Sequence, residues 1–120
     1  MSSGAIENLL SKDALAIHRA LASLQEELEA IDYYHQRVDV TEDESLKSVL
    51  AHNRDDEMEH AVMLLEWLRR AMPGFQVQMR KFLFSTGSII ALAAAGKLPS
   101  LQGAGLGLGS ARGSGQEEQP

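Results

Sequence analysis

Glu57 and His60 are the residues of this sequence whose types and spacing best suit chemistry. They are three positions apart, and in an α-helix this spacing places both side chains on one face, where they can reach the same point. Carboxylate and imidazole ligands suit iron, manganese or zinc. In di-iron carboxylate bundles, two helices each contribute a Glu-x-x-His pair and two others each contribute a lone Glu. The pair therefore predicts a metal site, although so short a motif also arises by chance.

The position of this pair in the hydrophobic pattern favours the metal site. A series of residues separated alternately by four and three positions lies along one side of a helix, and we call such a series a seam. This spacing predicts an amphipathic helix. The members of this seam are Leu46, Leu50, Asn53, Glu57, His60, Leu64 and Trp67. The ends of the seam are apolar and its middle is polar, and burying polar groups is costly unless they are paired or bind a metal. Three interpretations stay open: a catalytic di-metal site, a static zinc or manganese site, and a buried Glu57–His60 pair that only sets helix register.

A different helix must supply the lone carboxylate. Residues 12–38 contain no Pro or Gly, and they carry an apolar seam at Ile17, Leu21, Leu24, Leu28 and Ile31. Glu27 lies beside this seam, whereas Glu26 and Glu29 lie further round the helix, where a solvated acidic face is the ordinary outcome.

Tyr34 follows Glu27 by seven residues and shares its face, either as a hydrogen-bond donor to the site or as an ordinary half-buried tyrosine. His35 falls on the seam near its end, where a capped or paired histidine is favoured over a second metal site.

Capping residues predict where the helices begin and end. Ser11 fits the start of the first helix, and Thr41 with Glu44 fits a capping box for the second. Pro73-Gly74 predicts the end of the second helix. The expected fold is all-α, with an antiparallel two-helix hairpin and a short C-terminal helical part. The expected helices span about 12–38, 43–72, 75–84 and 88–95.

The ligand count predicts a dimer. One hairpin supplies a single lone Glu and a single Glu-x-x-His, which is half of a four-helix di-metal site. A two-fold axis is the commonest symmetry of oligomers, and it would supply the other half. The site would therefore be completed between two chains.

Length, composition and charge exclude several classes of protein. The chain has 120 residues, 11 Lys plus Arg against 17 Asp plus Glu, a net charge of −6 and no Cys. The length allows one domain, expected over residues 1–95, and the absence of Cys excludes disulfides, thiolate metal sites and Cys nucleophiles. The acidic balance argues against nucleic acid as a partner. No apolar run reaches the roughly 20 residues of a membrane span, and residues 1–4 lack a signal-peptide pattern. We expect a soluble, intracellular protein.

The last part of the chain differs in composition from the rest. Residues 96–120 contain seven of the ten Gly and four charged residues. Such a segment buries too little apolar area to offset the entropy lost on ordering. A disordered tail is therefore expected there.

Two stretches resemble the encapsulated ferritins, the ferritin-like cargo proteins of encapsulin compartments. They are Gln25–Asp39, with its Glu-Glu-Leu-Glu string, and Leu50–Arg70, with Asn-Arg-Asp-x-Glu-x-Glu-His. The resemblance covers roughly residues 10–95. It implies dimers that form a ferritin-like four-helix bundle and assemble into a ring-shaped decamer. It also implies a ferroxidase that oxidises Fe(II) with O₂ at a di-iron centre between two chains and delivers iron for storage inside a cytoplasmic encapsulin shell.

The same resemblance implies roles for individual residues. Glu27, Glu57 and His60 match the iron ligands, and Tyr34 matches a tyrosine beside them. Glu26 and Glu29 match acidic residues through which iron enters. Tyr33 stands where some members carry Trp.

The tail contains a segment similar to the peptides by which such cargo docks inside its shell. The residues concerned are Leu106, Leu108, Gly109, Ser110 and Arg112. Two leucines at i and i+2 could place two apolar anchors in a groove from an extended chain. Composition alone leaves open a tail without a function.

Overall fold

A computed structural model describes residues 8–96 of the chain, and the expected targeting peptide lies outside the described residues. Within residues 8–96 there are four helices and no strand, which confirms the all-α prediction. The helices are α1 (Lys12–Val40), α2 (Glu44–Ala71), α3 (Pro73–Phe82) and α4 (Ile89–Ala95). None of these described helices is long and apolar enough to cross a membrane. The described residues divide into two compact units, residues 8–71 and residues 72–96.

The first long helix, α1, is closed at both ends by side chains. Ser11 is its N-cap, and the Ser11 hydroxyl accepts a hydrogen bond of 3.1 Å from the backbone N–H of Ala14. At the other end, the backbone N–H of Thr41 donates to the carbonyl of Arg37 at 3.1 Å, and the Thr41 hydroxyl donates to the same carbonyl. The 29 residues of α1 make a rod of roughly 44 Å.

Asp43 caps α2, so the predicted Thr41–Glu44 capping box is wrong. Asp43 Oδ1 accepts from the backbone N–H of Leu46 at 2.9 Å and from the Ser45 hydroxyl at 3.2 Å. These hydrogen bonds, with that from Leu46 the largest, hold the pKa of Asp43 below its usual value. The physical reason is the short connection: Thr41 is used to close α1, and Asp43 is the acceptor immediately before the first turn of α2.

An ion-pair cluster fixes the C-terminal end of α2. Glu66 accepts from Arg69 Nε at 2.8 Å and Nη2 at 2.7 Å, and from Arg70 Nε at 2.6 Å. The hydrogen bonds from Arg69 and then Arg70 lower the pKa of Glu66 to about 2. Two cations in the last turn also complement the helix dipole.

The hairpin of α1 and α2 is held by a narrow line of buried side chains. Residues 41–43 connect the helices, so the two rods run antiparallel. The buried residues of the hairpin are Ala20, Leu24, Ala61 and Leu68. Small alanine side chains let two helices approach closely, and Leu68 is fully buried.

The predicted seams are wider than this line of contact. Leu21, Leu28, Leu46 and Trp67 belong to the two seams, yet they are 38%, 52%, 50% and 43% exposed in one chain. The periodicity therefore identified apolar faces of which a single hairpin buries only a part.

The C-terminal unit contains α3 and α4. Pro73 begins α3, where its missing N–H costs nothing. The Ser88 hydroxyl caps α4 by accepting from the backbone N–H of Ala91 at 3.0 Å. None of the described residues of this unit, 72–96, is buried.

Candidate metal centre

Three predicted ligands meet between the two long helices. His60 Nδ1 lies 3.5 Å from Glu27 Oε1 and 3.5 Å from Glu57 Oε1. One ligand atom from each residue lies within 4.8 Å of the other two. Within residues 8–96 this is the one group of three His, Asp or Glu side chains arranged so that they could hold a metal ion.

The fold explains why these side chains converge. Glu57 and His60 are one helical turn apart on α2, and Glu27 on α1 faces them because the hairpin is antiparallel. The carboxylates are partly covered, with side-chain exposures of 25% for Glu27 and 24% for Glu57, whereas that of His60 is 51%. The cluster is thus open on the side of His60, where further ligands could approach.

Glu27 is the carboxylate of the cluster whose ionised form is destabilised by its surroundings. Its Oε1 is buried and has no hydrogen-bond partner among the described residues. The neighbouring Glu57 carboxyl, then burial, and then the negative charge of Glu57 raise the pKa of Glu27. An unsatisfied buried oxygen beside a second carboxylate is costly, and a cation between them would satisfy both. The residues present therefore fit a metal ion.

The same two carboxylates also shift the pKa of His60. Partial burial lowers the pKa of His60, but its interactions with Glu57 and with the charge of Glu27 outweigh that effect, and the net pKa is raised. Two carboxylates and one imidazole form a mixed oxygen and nitrogen donor set that suits iron, manganese or zinc.

Apolar side chains flank the cluster at both ends of α2. Leu46 precedes His60 by fourteen residues and Trp67 follows it by seven, so all three share one side of the helix. Leu46 and Trp67 are both large and exposed in the single chain. We call this side of the hairpin the metal face.

The remaining predicted site residues lie outside the three-residue cluster. Tyr34 is half-buried, and its ring packs edge-to-face against Tyr33 with ring centroids 5.2 Å apart. The Arg37 guanidinium lies 3.5 Å from the centre of the Tyr33 ring, which leaves Tyr33 half exposed. Glu26 and Glu29 are exposed on α1.

His35 is paired across the hairpin. Arg54 Nη1 donates to His35 Nδ1 at 3.2 Å, and Arg54 Nε donates to Asp55 Oδ1 at 3.1 Å. Arginine has no acceptor, so His35 Nδ1 accepts, and a neutral ring carries its proton on Nε2. The sequence predicted a paired His35 but not its partner, because the partner lies on the other helix and only the hairpin register identifies it.

Sequence reasoning did not identify a contact of His52. His52 Nε2 lies 3.3 Å from Asp56 Oδ2, one turn along α2, and both side chains are at least half exposed. The i, i+4 spacing was the available signal.

Comparison with known proteins supplies independent findings. The family model described as EncFtn-like matches residues 4–86. A ferritin-like protein from Thermotoga maritima is 55% identical over 80 residues, which cover 67% of this chain and 69% of that protein. An encapsulated ferritin-like protein from Rhodospirillum rubrum is 43% identical over 124 aligned positions, covering 93% of this chain and 89% of that protein. The crystal structure of protein ne0167 from Nitrosomonas europaea has a TM-score of 0.66 and 51% identity, covering 68% of this chain and 91% of that one.

Proposed function

The chain belongs to the EncFtn-like family of encapsulated ferritin-like proteins, and on this premise we propose that it is a ferroxidase that oxidises Fe(II) to Fe(III) with O₂. One observation carries the proposal: Glu27, Glu57 and His60 converge on a single point that suits a metal ion, and an oxygen of Glu27 is buried there without a hydrogen-bond partner among the described residues.

Iron is the substrate of this reaction. Glu27 and Glu57 offset the charge of bound Fe(II), and the charge of Fe(III) still more, so they favour the product oxidation state. His60 contributes a nitrogen ligand from the open side of the cluster, and the positions left free there admit O₂. Each Fe(II) gives one electron to the oxidant.

The complete site lies between two copies of the chain. One hairpin offers two carboxylates and one imidazole, and His60 remains about half exposed. A two-fold copy placed on the metal face covers Leu46 and Trp67 and brings a second triad beside the first. Dimerisation and formation of the di-iron centre are then one event. A ring-shaped decamer of such dimers is the larger assembly that the family resemblance suggests.

Residues around the triad take supporting roles in this proposal. Glu26 and Glu29 are exposed acidic side chains of α1, and they attract Fe(II) towards the site. Tyr34 shares the α1 face of Glu27 and offers a phenolic hydroxyl near the ligands.

The chain acts as cargo of an encapsulin shell in the cytoplasm. A relative over most of its length is an encapsulated ferritin-like protein, and this supports the assignment. Leu106, Leu108, Gly109, Ser110 and Arg112 form the docking peptide. Because an open ring has no closed cavity for mineral, ferric product passes into the interior of the shell.

Anaerobic titration with Fe(II) followed by air tests the proposal. An iron-dependent absorbance rise in the near ultraviolet is expected from the full-length chain, and Glu57→Ala or His60→Ala abolishes it. Glu59→Ala is the matched control, because Glu59 is an exposed carboxylate on the same helix that is not in the cluster. Metal uptake without the absorbance rise would indicate a static site. An intact dimer without metal uptake would leave only a structural Glu–His pair.

A further inference from the structure

Met63 lies one helical turn beyond His60, next to the open side of the metal cluster. The two residues are three positions apart on α2, so their side chains are neighbours on the surface of the helix. Met63 is 63% exposed, and the side chain of His60 is 51% exposed. A reactive species that leaves the cluster on the side of His60 therefore meets the Met63 thioether within the first turn.

The rotation of the helix places Met63 at the edge of the metal face. Successive residues of a helix are rotated by about 100°, so Ala61 lies about 100° from His60 in one direction and Met63 about 60° from it in the other. Ala61 is buried, whereas Met63 is exposed. Met63 is therefore on the solvent side of His60, at the part of the metal face that a two-fold partner centred on that face covers least.

Met63 also stands between His60 and the single tryptophan of the chain. A cavity of about 400 Å³ is lined by Val62, Met63, Glu66, Trp67 and Arg70. Met63 and Trp67 are four positions apart on α2, and Trp67 is 43% exposed. Thioethers and indoles are both readily oxidised, and an oxidant that spreads along α2 from His60 reaches Met63 before Trp67.

On the premise that the cluster oxidises Fe(II), we propose that Met63 is an oxidation site that intercepts hydroxyl radicals formed at the iron. Its thioether shields the ligand His60 and the neighbouring Trp67. The product is methionine sulfoxide, which reductases convert back to methionine, so the damage at this position is reversible.

The oxidant follows from the proposed iron reaction. Two Fe(II) give two electrons to O₂, which takes up two protons and becomes hydrogen peroxide. A further Fe(II) gives one electron to hydrogen peroxide, which splits into hydroxide and a hydroxyl radical. The radical adds to the Met63 sulfur, and the adduct then returns one electron to Fe(III) and gives one proton to the hydroxide. The products are the sulfoxide, water and Fe(II), and the location matters because a hydroxyl radical reacts with side chains next to the point where it forms.

Two other oxidisable side chains serve as comparisons. Met58 is 44% exposed, but it precedes His60 by two positions, a rotation of about 160° away from it. Tyr34 is seven positions from Glu27 on α1, roughly two helical turns, and it is half-buried. Exposure alone therefore predicts similar oxidation of Met58 and Met63, whereas a radical formed at the cluster favours Met63.

Mass spectrometry of the full-length protein after Fe(II) oxidation in air tests the proposal. Trypsin releases residues 55–69 as one peptide, which contains Met58, Met63 and Trp67. Sulfoxide at Met63 is expected to exceed that at Met58 by roughly tenfold, because the radical forms beside Met63. Hydrogen peroxide added without iron should oxidise the two methionines to within about twofold of each other, since both are exposed. His60→Ala should lose the preference for Met63.

Met63→Leu removes the sulfur and nearly preserves the volume of the side chain. This variant should start at the unmodified rate of Fe(II) oxidation. Over repeated additions of Fe(II), it should accumulate oxidised Trp67 and lose activity faster than the unmodified protein. Met58→Leu is the matched control and should behave like the unmodified protein.

The outcomes separate this proposal from the ferroxidase itself. Iron oxidation with equal sulfoxide at Met58 and Met63, or with Tyr34 modified in place of Met63, would overturn the proposal and leave the ferroxidase standing. Intact Trp67 and undiminished activity in Met63→Leu would overturn the shielding role. An unmodified protein that fails to oxidise Fe(II) would overturn the ferroxidase, and with it the source of the radical.

Discussion

Glu27 Oε1 of α1 lies 3.5 Å from His60 Nδ1 of α2, and this contact joins a carboxylate and an imidazole whose pKa values are both raised. Glu27 is pushed towards its protonated form by Glu57 and by burial. The same pair of carboxylates outweighs the effect of burial on His60 and raises the pKa of His60. The metal-free cluster therefore keeps its protons to a higher pH than isolated side chains would, and a metal ion competes with those protons.

Metal binding should release protons and should strengthen as the pH rises. A carboxylate and an imidazole bind metal only in their deprotonated forms, so affinity falls at any pH where these groups hold protons. We expect Zn(II), used as a probe that is not oxidised, to bind more tightly at each step from pH 5.5 to 7.5. Calorimetry in buffers of different ionisation enthalpy counts the protons released. His60→Ala should release fewer protons, and an affinity that is flat over this range would contradict the prediction.

The metal-free protein should lose stability as the pH rises. A group whose folded pKa is raised contributes stability that is present below its unfolded value and is lost as the pH rises through the folded one. For Glu27 this loss begins above 4.5, and for His60 above 6.5. Urea unfolding between pH 5 and 8 should show a falling midpoint when a chelator is present, and Zn(II) in place of the chelator should reverse this fall.

Two variants separate the contributions to this pH dependence. Glu27→Gln should flatten the lower part of the profile, and His60→Ala the upper part. Asp43 and Glu66 act in the opposite direction, because their lowered pKa values contribute stability that is lost only as the pH falls below the ordinary carboxyl range. A midpoint that rises from pH 5 to 8 without metal would exclude the raised pKa values.

Much of the fold follows from local sequence signals. Ser11 predicts the start of α1 because an N-cap needs only a hydroxyl and the next turn. The i, i+3 spacing of Glu57 and His60 places them together on any helix. The cap of α2 was assigned two residues too early, because Thr41 and Asp43 are both good acceptors and only the end of α1 decides between them.

Contacts between the helices depend on a register that periodicity does not define. Glu27 could be placed beside the seam, but its distance to His60 requires the antiparallel alignment of α1 and α2. The same holds for Arg54 and His35. Burial was also harder to predict: Leu28 and Trp67 follow the seam but stay exposed, while Ala61 between the helices is buried. A side chain of the seam is buried either by the other helix of the hairpin or by a second copy of the chain. The sequence of one chain does not show which of these covers a given position.

Removing the cap of α2 should destabilise the hairpin measurably. Asp43→Ala leaves the backbone N–H of Leu46 without its acceptor, so the free energy of unfolding is expected to fall. Asp43→Asn keeps an acceptor oxygen, so its free energy of unfolding should stay close to that of the unmodified protein. Chemical unfolding of both variants at pH 7 measures the difference. Equal stability of Asp43→Ala and Asp43→Asn would show that the side-chain cap contributes nothing.

Leu68 should be the most sensitive apolar position of the hairpin. It is fully buried, so Leu68→Ala removes packed atoms and leaves a cavity, at a cost of about 3 kcal/mol. Val40→Ala, at a mostly exposed position, should cost less than about 0.5 kcal/mol. Urea unfolding of the metal-free chain compares them. A loss in Leu68→Ala no larger than in Val40→Ala would mean that this side chain does not hold the two helices together.

Deleting residues 101–120 should separate shell loading from iron oxidation. The proposed anchors Leu106 and Leu108 are two positions apart, a spacing that would bring both side chains to one apolar groove if the peptide binds in an extended conformation, whereas the proposed iron ligands lie within residues 27–60. Co-expression with an encapsulin shell and purification of the particles measures loading. Leu106→Ser/Leu108→Ser should abolish loading as the deletion does, and Gln116→Ala should load normally. Because the anchors are separate from the ligands, both loading-deficient proteins should still oxidise Fe(II) at the unmodified rate, and loss of both properties together would contradict a tail that serves only as a docking peptide.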